Sequence, residues 1–303
     1  MQFCNRTNLF ILLAITMMTL PTAAYAGGST PPKVGTKYPI VLAHGFSGFD
    51  SLLGIDYFYQ IAGTLRNEGH KVYTTEVSAF NSVQTRGNQL ADQIEQILAI
   101  SGAQKVIIVG HSMGGLDARY ATRYRLGSSK VAAVVTVATP HRGAVMSDLI
   151  YPLVNTVVKL TGPVGDAIAA FVSSVGGAIV SGKLTLPQDV VAGLRDLTSG
   201  FTSQWNQVTT NVPGVLYWSY GGTSIVNISL DPTDALMFLT GIVDPVPNDG
   251  LVNRESAKWG TVKNVNLNAN HLDEVNQLLG STGWFDAKGF FKGMAAELKN
   301  LGY

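Results

Sequence analysis

Hydrophobic and polar positions fall into alternating blocks along the chain. The runs IVLAHG (40–45), KVYTTEV (71–77), KVIIVG (105–110), VAAVVTVAT (131–139) and VLYWSYGG (215–222) are apolar, β-branched or aromatic, the make-up of strands buried on both faces. Between them Leu90, Ile94, Ile97 and Leu98 recur at helical spacing, and LPQDVVAGLRDL (186–197) has an amphipathic pattern. Strands alternating with helices predict an α/β fold with a mostly parallel, doubly wound sheet. No internal repeat or low-complexity linker follows the lead GGSTPPKVGTKYP (27–39), so one domain over 27–303 is expected. From Ser147 to about residue 185 the pattern changes to an insertion rich in Val, Ile, Ala and Gly, within which AIAAFVSSVGGAIVSG (167–182) carries no charge.

The N-terminus departs from this pattern in a different way. Arg6 precedes a mostly apolar run from Leu9 to Leu20, Pro21 breaks it, and Ala24-Tyr25-Ala26 is a small-x-small site, which together predict a signal peptide over residues 1–26 cleaved after Ala26. The run is shorter than the roughly 20 residues needed to span a bilayer, so secretion is expected rather than a stable membrane anchor. The only cysteine is Cys4, inside that segment, so the mature chain would carry no disulfide. A hydrophobic content of 46% over 303 residues is enough for a sizeable core. Lys+Arg 21 against Asp+Glu 20 leaves almost no net charge, which gives no attraction to nucleic acid and fits a neutral, greasy substrate better than a polyanion.

Chemistry enters at Gly110-His111-Ser112-Met113-Gly114, where a strand turns into a helix. G-x-S-x-G in that context is a nucleophile elbow: small residues two positions either side let strand and helix approach, and the strained turn exposes the hydroxyl. The helix behind it offers backbone N–H groups to an anionic intermediate. A serine nucleophile needs a base. Of five histidines, His44 belongs to the AHGF turn, His70 to a turn before a strand, His111 precedes the serine and is expected to point elsewhere, and His141 follows VTVATP. His271, in NANHLDEVNQ, stands late in the chain at a loop-to-helix boundary and is the candidate base. The acid that orients it should fall between Ser112 and His271, where Asp231, Asp234, Asp244 and Asp249 compete; Asp249, in VPNDGLV, has only a slim advantage on spacing.

From about Tyr38 onward, VLAHGFSGFD, GHSMGGLDARY, ATPHRG, LDPTDA, NDGLV and NHLDEVNQ occur in the order of blocks found in the secreted bacterial true lipases, the Pseudomonas and Proteus type triacylglycerol lipases of family I, which this chain resembles. The resemblance implies an α/β-hydrolase fold and a Ser112-Asp249-His271 triad. It also implies an oxyanion hole from the backbone N–H groups of Phe46 and Met113. A structural calcium ion is implied too, held by the carboxylates of Asp231 and Asp273 and the backbone oxygens of Gln277 and Ser281. The insertion of about 147–185 would be a helical lid, with a buried helix as the plain alternative, and the expected partner is an acylglycerol at a lipid–water interface, met by a monomer. Many relatives carry a disulfide near LYWSY and NDGLV, where this chain has no cysteine. The disulfide-free branch is the closer match, and the family's dependence on a dedicated folding chaperone is in doubt here. Two other functions fit the same motifs: a carboxylesterase for short soluble esters, and a non-catalytic lipid- or surface-binding protein on the same fold.

Overall fold

The strands β1 (Ile40–Ala43), β2 (Val72–Thr75), β3 (Val106–His111), β4 (Val131–Val137), β5 (Leu216–Gly222) and β6 (Thr261–Leu267) form one all-parallel sheet in the order β2-β1-β3-β4-β5-β6. This computed structural model describes residues 33–47, 51–52, 55–161, 186–225 and 232–303. The signal segment 1–26, residues 27–32 of the Gly/Pro-rich lead, residues 162–185 of the insertion and Asp231 lie outside the described residues. Lys33–Tyr303 makes one unit. None of its described helices is long and apolar enough to cross a membrane.

The five strands expected from apolar runs are all present, and β3 and β4 are buried along their whole length. Side chains in a strand point alternately to opposite faces, and here both faces are covered. Ile40 and Leu42 pack with Ile61, Leu65, Phe291 and Leu298, from helices α1 (Ile61–Asn67) and the C-terminal Ala287–Asn300. Val41 and Ile108 pack on the other side with Leu90, Ile94, Ala118 and Ala121, from α2 (Val83–Ser101) and α3 (Met113–Ala121). Full burial of each such Leu or Ile contributes about 1.5–3 kcal/mol. Helix α2 is the one predicted from Leu90 and Ile94; Ser82 caps its start by accepting from Thr85 N at 3.2 Å, and Gly102 ends it at φ 67°.

Between β4 and β5 the chain leaves the sheet for α4 (Val145–Thr161), α5 (Val190–Asp196) and α6 (Ser199–Val208); α7 (Pro232–Gly241) follows β5, and the C-terminal helix is α8. The amphipathic 186–197 stretch is borne out in α5, which buries Val190 and Leu194. The order places β1 between β2 and β3, so the connections leave β1 and β3 in opposite directions, the switch point where open α/β sheets bind ligands beyond the strands' carboxyl ends.

Candidate active site

Ser112 begins immediately after β3 and ahead of α3, with φ 54° and ψ −131°, a conformation that L-residues adopt only under constraint. The neighbouring glycines explain how the turn is tolerated. A Cβ on Gly110 would lie 2.5 Å from Gly114 O, and one on Gly114 would lie 2.4 Å from Ala43 O. Both approaches are to backbone, so neither position can hold a larger residue without moving strand or helix. Ser112 N donates to Val137 O at 2.9 Å, which pins the elbow to the end of β4.

The loop after β1 lies against the same serine: a Cβ on Gly45 would stand 2.6 Å from Ser112 Cβ and 3.1 Å from its Oγ. Phe46 and Ser112 line one cleft of about 400 Å³ together with His271, and its remaining walls are largely apolar, including Ile150, Leu194, Leu197, Leu251 and Val252. Met113 is the first residue of α3, so its N–H has no intrahelical acceptor. Phe46 N–H has no backbone acceptor among the described residues. These are the two N–H groups that the family resemblance implies for an oxyanion hole, one in the loop after β1 and one at the start of α3.

Of the competing acids that the structure describes, Asp249 is the one bonded to His271. Its Oδ2 lies 2.8 Å from His271 Nδ1, while its Oδ1 accepts from Leu251 N at 2.9 Å and Val252 N at 2.7 Å. His271 N also donates to Asp249 O at 2.8 Å, so the two loops are joined through backbone and side chain alike. With Nδ1 donating to the carboxylate, Nε2 is the nitrogen free to take a proton. Ser112 Oγ and His271 make no direct hydrogen bond, a separation common before substrate draws the pair together. Asp244 instead accepts from Asn253 Nδ2 at 2.7 Å and from Val246 N at 2.9 Å, bracing the loop that carries Asp249. Asp234 accepts from Asn270 Nδ2 at 3.0 Å.

Of the remaining histidines, His44, His70 and His141 have other partners. His44 packs beneath the loop after β1, His70 bonds to the Thr36 backbone, and His141 stacks on Trp259 with ring centroids 5.2 Å apart. His111 differs from its expectation: rather than leaving the site, it lies fully buried with its ring centroid 4.6 Å from that of His271. It shares a 2.7 Å hydrogen bond with Tyr57 and places Nε2 3.6 Å from Glu274 Oε2. Burial, then the neighbouring His271, holds its pKa well below the ordinary imidazole range. Burial, then Asp249 and Asp273, raises that of Glu274 well above the carboxylate range. No sequence pattern singled out Glu274, although it follows His271 by one helical turn.

Asp273 is completely buried at the short 3-10 turn after His271, and its Oδ2 accepts from Asn270 N at 2.9 Å. Gln277 turns its amide nitrogen to Asp56 O at 2.6 Å and Tyr57 O at 3.1 Å, and the loop continues to the exposed Ser281. Asp249, Asp273 and Glu274 are all fully buried within one short region. Asp273, with the backbone oxygens of Gln277 and Ser281, would supply oxygen ligands of the kind a calcium ion takes.

Residues 38–194 match the family described as alpha/beta hydrolase fold. The chain is 36% identical over 316 residues to the triacylglycerol lipase of Vibrio cholerae serotype O1, covering 97% of this chain and 99% of that one. It is 34% identical to the triacylglycerol lipase of Burkholderia plantarii, covering 89% and 90%. Among solved structures, Staphylococcus hyicus lipase shares the fold with a TM-score of 0.66 at 21% identity, over 90% of this chain and 98% of that one. With its parallel sheet, its strained serine elbow and identity of this extent along nearly its whole length, the chain belongs to the α/β-hydrolase family, among the bacterial triacylglycerol lipases.

Proposed function

We propose that the protein is a secreted, calcium-stabilised serine lipase that hydrolyses triacylglycerol esters through an acyl-enzyme. The observation that carries this reading is the strained Ser112 in one apolar cleft with His271, whose Nδ1 is held by Asp249 at 2.8 Å. Ser112 Oγ attacks the ester carbonyl carbon as His271 Nε2 takes its proton. The carbonyl oxygen becomes an oxyanion between the N–H groups of Phe46 and Met113, which are fixed before charge develops and so stabilise the transition state more than the ester. His271 then gives its proton to the departing alcohol oxygen, and the C–O bond breaks. Water, deprotonated by the same nitrogen, attacks the acyl-serine and releases the fatty acid with Ser112 restored. Asp249 stays ionised throughout and stabilises the imidazolium.

Support for a lipid substrate comes from the rim of the cleft. Helix α4 lends Met146 and Ile150 to the wall and exposes Leu149 and Leu153; α7 lends Thr240 and exposes Leu236, Phe238 and Leu239. Large apolar side chains exposed together beside a site mark contact with an apolar partner. Secretion rests on the N-terminal pattern alone, and peptide mapping of the exported protein should begin at Gly27.

The test is a chain-length series of esters taken below and above their solubility limit, with parent, Ser112→Ala, His271→Ala and Asp249→Asn proteins. Activity should rise at the limit in the parent and fall by several orders of magnitude in each variant. An enzyme active only on dissolved short esters would be a carboxylesterase, and a chain with no turnover would be a surface-binding protein. Near-parent rates in Ser112→Ala would overturn the mechanism outright.

A further inference from the structure

Arg86, in the first turn of α2, is completely buried. Its guanidinium is divided between the backbone around the proposed oxyanion hole and the carboxylate of Asp117. Nη2 donates to His44 O at 2.9 Å and Gly45 O at 3.1 Å, while Nη1 donates to Ser78 O and, at 3.3 Å, to Ala79 O. Asp117 Oδ2 accepts from Nε at 2.9 Å and lies 2.8 Å from Nη2. Gly45 O has a second donor. His44 Nε2 accepts from Val77 N at 3.1 Å and so carries no proton, which leaves the proton on Nδ1, 2.9 Å from Gly45 O.

The carbonyl of Gly45 and the N–H of Phe46 belong to one planar trans peptide and point in opposite directions. Two donors on the oxygen therefore fix the direction of the N–H. They also draw electron density through the amide, which strengthens Phe46 N–H as a donor. Asp117 stands on α3, whose first residue is Met113. The ion pair thus ties the loop bearing one oxyanion donor to the helix bearing the other.

We propose that Arg86 is a positioning residue of the oxyanion hole, clamping the Gly45 carbonyl with His44 so that Phe46 N–H is aimed and polarised before substrate arrives. This rests on the serine hydrolase reading above. Arg86 touches no reacting atom; it acts through the Gly45–Phe46 peptide. A buried ion pair that served only to hold the fold would make the same contacts with Asp117 but would leave transition-state binding untouched.

Two variants separate these roles. Arg86→Lys keeps the charge and loses the fork of donors; the double variant Arg86→Met with Asp117→Leu removes both charges, so that no lone ion is left buried. Exhaustive labelling of Ser112 with a fluorophosphonate counts competent sites, and melting curves report the fold. The readouts per competent site are kcat and KM for p-nitrophenyl butyrate and the inhibition constants of phenylboronic acid, which forms a tetrahedral adduct, and of a long-chain alcohol, which fills the cleft without one. We expect kcat to fall about 30- to 300-fold with KM within about twofold, the boronate to weaken in parallel, and the alcohol to bind as before. A kcat within about threefold of parent in either folded variant overturns the proposal, as does joint loss of kcat, alcohol binding and melting temperature. If the parent itself is neither labelled nor active, the hydrolase reading fails first and takes the proposal with it.

Discussion

Gly45 is the residue through which nucleophile and oxyanion loop touch, and its carbonyl is held from behind by His44 and Arg86. A methyl group there would press on Ser112 Cβ from a braced backbone, so one of the two must shift. Gly45→Ala is expected to cut kcat on a soluble ester about 100-fold, the scale of one lost oxyanion donor, with overpacking costing about 1–3 kcal/mol of stability. Steady-state kinetics beside a urea melt would check both, and a kcat close to parent would contradict the close approach. His141 gives a pH-dependent prediction. Its Nδ1 lies 3.1 Å from Arg119 Nη1 and Nε2 lies 3.1 Å from Thr136 Oγ1, and burial, then Arg119, holds its pKa well below 6.5. A histidine with a lowered folded-state pKa contributes stability that is present above its unfolded value and lost as pH falls below about 6.5, at up to about 1.4 kcal/mol per pH unit. His141→Gln should therefore cost more at pH 8 than at pH 5, as measured by denaturant unfolding; an equal cost at both would refute the assignment of a neutral ring. Ser112 and His271 were legible in the sequence because a motif and an elimination among five histidines reach them without tertiary knowledge. On spacing alone Asp249 kept only a slim advantage among four acids; the family resemblance, not the pattern of residues, pointed to it, and its 2.8 Å contact with His271 supports that choice. Arg86 and Glu274 could not be read, because their partners at His44, Gly45 and His111 come near only when strands and helices assemble.

Strands with both faces covered announce themselves in sequence, whereas of the two edge strands only β2 does and β6 does not. β3 and β4 are continuous apolar runs, whereas β6, TVKNVNL, is exposed at its first four positions and pairs only with β5, so polar residues interrupt its pattern. Helix α8 was missed for another reason: its buried Phe291, Met294 and Leu298 keep helical spacing, but Gly289 and Gly293 dilute it. Outside the sheet, Arg119 joins three elements. Its guanidinium lies 3.4 Å from the Trp259 ring centroid and 4.5 Å from that of Trp205, and Nη2 donates to Thr209 O at 2.8 Å. This couples α3 and α6 to the segment entering β6. Burial lowers its pKa to about 9, which still leaves it charged at neutral pH. Arg119→Lys retains the charge but cannot stack between two rings while reaching Thr209. It should lose about 2 kcal/mol of stability, with unchanged kcat per competent site, because Arg119 does not line the cleft. Denaturant midpoints and active-site titration would decide, and a stability change below about 0.5 kcal/mol would show the stack to be idle.

Across the whole molecule, the proposed acid and base, Asp249 and His271, stand on loops beyond β5 and β6, far in sequence from the proposed nucleophile Ser112, and must keep register with it. The only cysteine is Cys4, so no disulfide ties those loops within 33–303. Asp249 and Asp273 bear on the buried Glu274 there, the cause that, after burial, raises its pKa well above the carboxylate range. A calcium ion on Asp273, Asp231 and the backbone oxygens of Gln277 and Ser281 would bind only the folded arrangement. At a hundredfold excess over its dissociation constant it would add about 2.7 kcal/mol, which for a domain of this size is roughly 5–10 °C of melting temperature. Chelation should produce that drop and let activity decay before the sheet unfolds, since Asp273 lies two residues beyond His271. Asp273→Ala should melt low and ignore added calcium. Asp234 is no neutral control: it holds Asn270, whose own N–H donates to Asp273, so Asp234→Ala should also weaken the calcium response. Asp244→Ala is the better comparison, because its contacts run to Val246 and Asn253 on the acid loop, and it should lose some stability yet still respond to calcium. Differential scanning fluorimetry on metal-stripped protein, titrated with calcium, distinguishes these outcomes. Unchanged melting of the parent on adding calcium, or a parent-like response in Asp273→Ala, would leave the buried carboxyl cluster without a cation and shift the whole burden of loop register onto the Asp249–His271 bonds.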